Sequence, residues 1–179
     1  VSVVQSMSNP SRFAEVNTLG TARLLELLTD RNRFPIRKLI VPSSMSIYGE
    51  GLYQVGGNEV TPHLRAKEQL ESKSWEILSN GEVCQPVATP ETKPLRPTSI
   101  YAITKRDQEE MALSIGEASG IPTIALRYFN IYGPRQSLSN PYTGVAAIFS
   151  SRLLNGNPPV VFENGGQLRD FVHVSDIVQ

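Results

Sequence analysis

A chain of 179 residues, 40% of them apolar, with 17 basic and 17 acidic side chains is long enough to bury one sizeable core. Its balanced charge argues against nucleic acid or a membrane surface as a partner. No apolar run approaches the roughly 18 residues of a membrane span, and no signal peptide opens the chain. The single cysteine, Cys84, forbids an internal disulfide and points to a reducing, cytoplasmic compartment. His63 and His173 are the two histidines and stand far apart, so no metal site is expected.

Taken in chain order, NPSRFAEVNTLGTARLLELLTD (9–30) predicts a helix beginning at Asn9 and Pro10, with Val16, Leu19, Leu24, Leu27 and Leu28 giving an apolar face. RKLIVPSS (37–44) reads as a buried strand ending in small hydroxyl residues. Residues 50 to 98 are irregular and rich in Gly and Pro, with one helix expected in LRAKEQLESKSWEIL (64–78). SIYAITKRDQEEMALSIGEASG (99–120) predicts a long helix stopped by Gly120. IPTIALRYFN (121–130) follows as a strand, and GVAAIFSSRLLNG (144–156) as a helix capped by Gly156. PPVVFENGGQ and RDFVHV read as strand, turn and strand. This alternation implies a parallel sheet covered on both faces. The 50–98 region is too long for an ordinary connection and reads as an insertion. The chain opens without an initiator methionine, and Ser175 and Asp176 begin a helix just before it stops, so an internal piece of a longer protein is expected.

The sharpest local signal is Tyr101 four places before Lys105, behind the helix-start residues Pro97 and Ser99. On a helix the two side chains share one side. An ammonium beside a phenol favours the phenolate, and a phenol tuned toward neutrality can exchange a proton with a sugar hydroxyl. The pair alone is weak, because a packed tyrosine beside a solvated lysine gives the same string. Ser43 and Ser44 end an apolar strand, where ligands bind in open parallel sheets; turn chemistry explains them equally well. Asn130 and Arg135 in RYFNIYGPRQ take a second strand end, against the alternative of a Gly-Pro turn. Arg169 is a candidate phosphate clamp or one half of an Arg–Asp surface pair. Asn17, inside an apolar helical stretch, needs a partner, either a local hydrogen bond or a water in the site. The glycines of GEGLYQVGG have the wrong spacing for a dinucleotide turn.

As an ordered set, VNTLGT, PSSMSIYG, YAITK, RYFNIYGPRQ and RDFVHVSDI resemble the extended short-chain dehydrogenase/reductase family, in its nucleotide-sugar epimerases and dehydratases. The resemblance covers nearly the whole chain except the insertion. It implies an α/β, Rossmann-like, doubly wound parallel sheet, here a fragment lacking the N-terminal glycine-rich strands and the C-terminal end. Residues 1–135 would then be part of an NAD-binding domain, with an insertion at about 51–97 that acts as a lid. Residues 136–179 would begin the substrate-binding region.

By the same resemblance Tyr101 is the base, and Lys105 tunes it and binds the nicotinamide ribose. Ser44 bonds the reacting hydroxyl, and Asn17 is the structural, water-holding asparagine. Ser43 and Tyr128 lie near the cofactor, and Asn130 and Arg169 hold the substrate diphosphate. The expected cofactor is NAD, the partner a nucleotide sugar, and the full-length assembly a homodimer built on the helices around 14–28 and 101–115. The fragment alone is expected to be inactive and to bind NAD weakly. Where the family's dehydratases carry an Asp-Glu pair, this chain has Met45 and Ser46, which favours epimerisation at C4 through a 4-keto sugar. The insertion is similar to a subgroup that includes dTDP-L-rhamnose 4-epimerase-like proteins. The rivals are a nucleotide-sugar oxidoreductase, dehydratase or decarboxylase, and a non-catalytic nucleotide-binding member.

Overall fold

The computed structural model describes residues 3–137 and 144–179. In chain order the elements are α1 (Val3–Ser8), α2 (Pro10–Phe13), a π turn (Ala14–Leu19), α3 (Gly20–Thr29), β1 (Leu39–Ser44), a 3-10 turn (Met45–Tyr48), β2 (Leu52–Val55) and β3 (Asn58–Val60). They continue with α4 (Lys67–Glu71), β4 (Leu78–Ser79), β5 (Glu82–Val83), β6 (Gln85–Val87), α5 (Ile100–Ala118), β7 (Thr123–Tyr128), β8 (Asn130–Tyr132), α6 (Val145–Leu154), β9 (Phe171–His173) and α7 (Val174–Ile177). Two compact units result. One combines the residues up to Gly49 with Leu95–Phe129; the other combines Glu50–Pro94 with Asn130–Gln179.

In the first unit β1 and β7 run parallel, in a register from Leu39 opposite Thr123 to Ser44 opposite Tyr128. Because side chains alternate across a strand, Leu39, Val41 and Ala125 share one face. There they pack against Leu25 and Leu28 of α3 and Met111, Ala112 and Ile115 of α5. The expected parallel α/β sheet is present. Within this unit, however, helices cover one face, and Ile40 on the other remains 55% exposed. The helix over 99–120 forms as expected. Ser99 caps it by accepting from the Ala102 N–H at 3.1 Å, and Gly120 ends it at φ 63°.

The helix over 9–30 also forms, but its buried face differs from the expected one. Val16, Leu19, Leu24 and Leu27 point outward, whereas Phe13 and Leu25 are buried and Leu28 half-buried. The side turned toward α5 also carries Asn17, Thr18 and Thr21, whose side chains bond to that helix. Thr18 donates to Asp107 at 2.9 Å, and Thr21 accepts from Gln108 at 2.7 Å.

The 50–98 region leaves at Gly49 and returns at Arg96, whose N–H donates to the Ile47 carbonyl at 3.1 Å. Gly49 has φ 69°, and a Cβ there would collide with the Arg96 carbonyl oxygen, so the exit demands glycine.

The second unit is built from short strands. Gly56 and Gly57, both at positive φ, form the two-residue turn between β2 and β3, and β6 pairs with the other edge of β2. The glycines of GEGLYQVGG thus serve a hairpin. The helix expected over 64–78 shrinks to Lys67–Glu71. Its second half instead enters β4, which Asn80 and Gly81, again at positive φ, return into β5. PPVVFENGGQ forms no strand, since Pro158 and Pro159 cannot donate to a ladder. RDFVHV does supply β9, which pairs in parallel with β8. α6 ends as expected at Gly156, φ 70°, with Asn157 N–H reaching back to the Arg152 carbonyl at 2.9 Å. Arg65 binds Glu163 through both guanidinium nitrogens at 2.8 Å, tying the insertion to the 155–170 loop. Among the described residues no helix is long and apolar enough to cross a membrane.

Candidate active site

The first turns of α5 carry Tyr101 and Lys105, and four neighbours fix them. The Tyr101 N–H donates to the fully buried Ser6 Oγ at 3.0 Å, and its ring meets Phe13 edge-on at 6.4 Å. Lys105 Nζ donates to the Pro42 carbonyl on β1 and to Gln108 Oε1 at 2.7 Å. Gln108 is itself held by its bond to Thr21. Burial pulls the Lys105 pKa below its ordinary value. An ammonium has three N–H donors, so these two acceptors leave one for a ligand.

Asn17 sits in the π turn, a deformation often found at functional sites. Its Nδ2 donates to Thr104 Oγ1 at 3.0 Å, and that hydroxyl donates to the Tyr101 carbonyl at 3.0 Å. The asparagine therefore braces the first turn of α5 across 87 residues of sequence. Thr104 is a site residue that sequence reasoning missed; its one signal is a buried hydroxyl three places after Tyr101.

Ser43 and Ser44 are buried at the carboxyl end of β1. Ser44 starts the 3-10 turn, its Oγ accepting from the Ser46 N–H at 3.2 Å; turn chemistry is thus realised, and the hydroxyl proton remains to be donated. Tyr128 lies opposite Ser44 at the end of β7 and is half-buried. Ser43 shares a face and register with Arg127. Its buried hydroxyl meets no partner at full hydrogen-bonding geometry but faces Glu109 closely enough to help hold that carboxylate ionised. Arg127 grips Glu109 with Nη2 at 2.6 Å and Nε at 3.0 Å, and reaches Tyr48 OH with Nη1 at 2.9 Å. Burial pushes the Glu109 pKa up, but the Arg127 hydrogen bonds and the Ser43 hydroxyl outweigh it, so the value lies below the ordinary one. Arg127 is raised in return, chiefly by Glu109. Sequence reasoning did not single out Glu109, Arg127 or Tyr48.

Asn130 and Arg169 belong to the second unit. Asn130 donates from both its backbone N–H, at 3.2 Å, and its Nδ2, at 3.0 Å, to the Asp170 carbonyl. Arg169 is exposed and donates to the Leu168 carbonyl at 2.7 Å. Arg135 lies exposed in a turn at φ 67°, as the turn alternative requires. Tyr53 of the insertion is raised first by burial and then by Glu50, with the guanidinium charges of Arg169 and Arg65 pulling it down.

Residues 2–179 match the profile of the family described as "NAD dependent epimerase/dehydratase family". The chain is 37% identical over 174 residues to dTDP-L-rhamnose 4-epimerase of Burkholderia thailandensis, covering 97% of this chain and 47% of that protein. Among solved structures, it resembles UDP-N-acetylglucosamine 4-epimerase from Methanobrevibacter ruminantium in complex with UDP-N-acetylmuramic acid. That similarity has a TM-score of 0.72 and 31% identity, over 99% of this chain and 46% of the other. It also resembles the Thermus thermophilus UDP-glucose 4-epimerase in complex with NAD (TM-score 0.68, 31% identity, 99% of this chain and 47% of the other). The chain therefore spans about half the length of the relatives it matches.

Proposed function

This chain belongs to the NAD-dependent epimerase/dehydratase family, and from that premise we propose that the full-length protein inverts C4 of a nucleotide-diphosphate sugar through a 4-keto intermediate. The observation that carries the reading is the pair on α5, with Lys105 anchored to the end of β1 through Pro42 and to Gln108. The relatives' names, dTDP-L-rhamnose and UDP-sugar 4-epimerases, support a nucleoside-diphosphate hexose as substrate class. Met45 and Ser46 at the start of the 3-10 turn leave no acid there for dehydration.

The donor set fits the nicotinamide end of NAD. Lys105 has a spare N–H and a desolvated position suited to a ribose hydroxyl, and Ser43 and Tyr128, at the ends of β1 and β7, are assigned with Tyr101 to the cofactor's surroundings. When bound, NAD supplies reversible hydride chemistry at C4. The chain's own residues handle the proton. Tyr101 takes it from the 4-hydroxyl and returns it after the keto sugar has turned over. The Lys105 charge stabilises the phenolate form of Tyr101, the form that accepts this proton. Ser44 donates its free hydroxyl proton to the reacting oxygen. Asn17, through Thr104, keeps the Tyr101 turn in place.

Asn130 and Arg169 are assigned to the diphosphate. The insertion at about 51–97 is assigned to a lid, as long loops of this kind often are. The exposed apolar residues Val16, Leu19, Leu27, Ile103 and Leu113 are assigned to a homodimer face of the α2–α3 and α5 helices. The test of function is product analysis of the full-length protein with NAD and a panel of nucleotide sugars. C4 epimers should accumulate to equilibrium without stoichiometric NADH. Stoichiometric NADH would identify a net oxidoreductase instead.

A further inference from the structure

The proton chemistry above makes no use of the Glu109–Arg127 pair, although it is the most enclosed ion pair among the described residues, with side chains 4% and 22% exposed. Its members come from the elements that bear Lys105, Ser44 and Tyr128. Glu109 follows Lys105 by one turn of α5, and Arg127 precedes Tyr128 on β7. Ser43 precedes Ser44 on β1, and Tyr48 closes the 3-10 turn that Ser44 begins. The guanidinium binds Glu109 in a fork, donates to the Tyr48 hydroxyl and stacks 5.0 Å from that ring's centre. Enclosing such a pair carries a desolvation cost that offsets its attraction, so general stability is a weak reason for this arrangement. A planar fork that locks three elements in register is a better one.

We propose that Glu109 and Arg127 are positioning residues for the C4 chemistry. They clamp α5, bearing Tyr101 and Lys105, onto the ends of β1 and β7, bearing Ser44 and Tyr128. The inference rests on the epimerase reading of the site. Misplacing a reacting group by about 1 Å can lower a rate about 10²-fold, so the clamp acts on turnover rather than on affinity.

The experiment compares full-length wild type with Glu109→Gln, Arg127→Lys, their double variant and Tyr48→Phe. It measures kcat per folded active site, KM and NAD affinity. Glu109→Gln should lose about 10²-fold in kcat, with far smaller changes in KM and NAD affinity. Arg127→Lys keeps the charge but loses the fork, and should fall alongside it. The double variant should be no slower than the worse single one, because both break one interaction. Tyr48→Phe deletes a single hydroxyl and should lose several-fold in the same direction. A purely structural pair would lower Tm and the folded fraction while leaving kcat per folded site intact, and that result overturns the inference. Should Glu109→Gln fail to fold, Tyr48→Phe decides, and an unchanged kcat there is equally contradictory. A wild type that inverts no nucleotide sugar sinks the functional reading and the inference together. An active wild type with unaffected variants sinks the inference alone.

Discussion

The two units of this chain hold their polar side chains in different ways. In the first, side-chain bonds cross large stretches of sequence: Ser6 to Tyr101, Asn17 to Thr104, Thr18 to Asp107, Arg127 to Tyr48. They converge on the start of α5 and the ends of β1 and β7. In the second, structure comes mostly from local turn chemistry, the Gly56-Gly57 and Asn80-Gly81 hairpins, with the partly exposed Arg65–Glu163 bridge joining distant segments. The contrast fits the roles proposed for the two units, since a proposed proton transfer depends on fractions of an ångström and a proposed lid would have to open.

The largest effect should come from the centre of the first unit. Tyr101→Phe keeps the ring against Phe13 and removes the exchangeable proton. In the full-length enzyme kcat should fall about 10²–10⁴-fold, with substrate binding retained by calorimetry. Glu109→Gln comes next. Unpairing an enclosed ion pair costs about 3–5 kcal/mol, read by denaturant unfolding. It also carries a pH signature. The folded pKa of Glu109 lies below its ordinary value, so its stabilisation is present above the ordinary carboxylate range and is lost as pH falls through the lowered folded value. Wild-type Tm should therefore drop more steeply in that acid window than that of Glu109→Gln.

Asn17→Ala removes one part-buried bond to Thr104 and should cost about 1 kcal/mol, with a fall in kcat through the loosened Tyr101 turn. The smallest effect belongs to the second unit. Glu163→Gln breaks a partly exposed bridge and should cost at most about 1 kcal/mol. If Glu163→Gln proved as damaging as Glu109→Gln, the contrast between the units would collapse.

What was legible in the sequence was local. The helix over 99–120 carried its cap at Ser99 and its stop at Gly120, and the strand over 37–44 carried its apolar run. The four-residue spacing alone placed Tyr101 and Lys105 on one side of a helix. The misreadings have separate causes. The apolar residues Val16, Leu19, Leu24 and Leu27 suggested the inward face, but the inward face is Phe13, Asn17, Thr21, Leu25 and Leu28, partly polar and bonded to α5, and the first set faces out. Residues 64–78 follow a helical pattern, while Asn80-Gly81, the stronger hairpin signal, lies just beyond them. Glu109 and Arg127 were invisible for another reason. They are 18 residues apart on different elements, and each alone looks like a surface charge.

In the proposed inversion the hydrogen removed from C4 is the one that returns to it, on the opposite face. Full-length enzyme should be given nucleotide sugar carrying deuterium at C4, and the product examined by NMR and mass spectrometry in ordinary water. The expected product is the C4 epimer with deuterium retained at C4. Inversion with the label replaced by solvent hydrogen would contradict it.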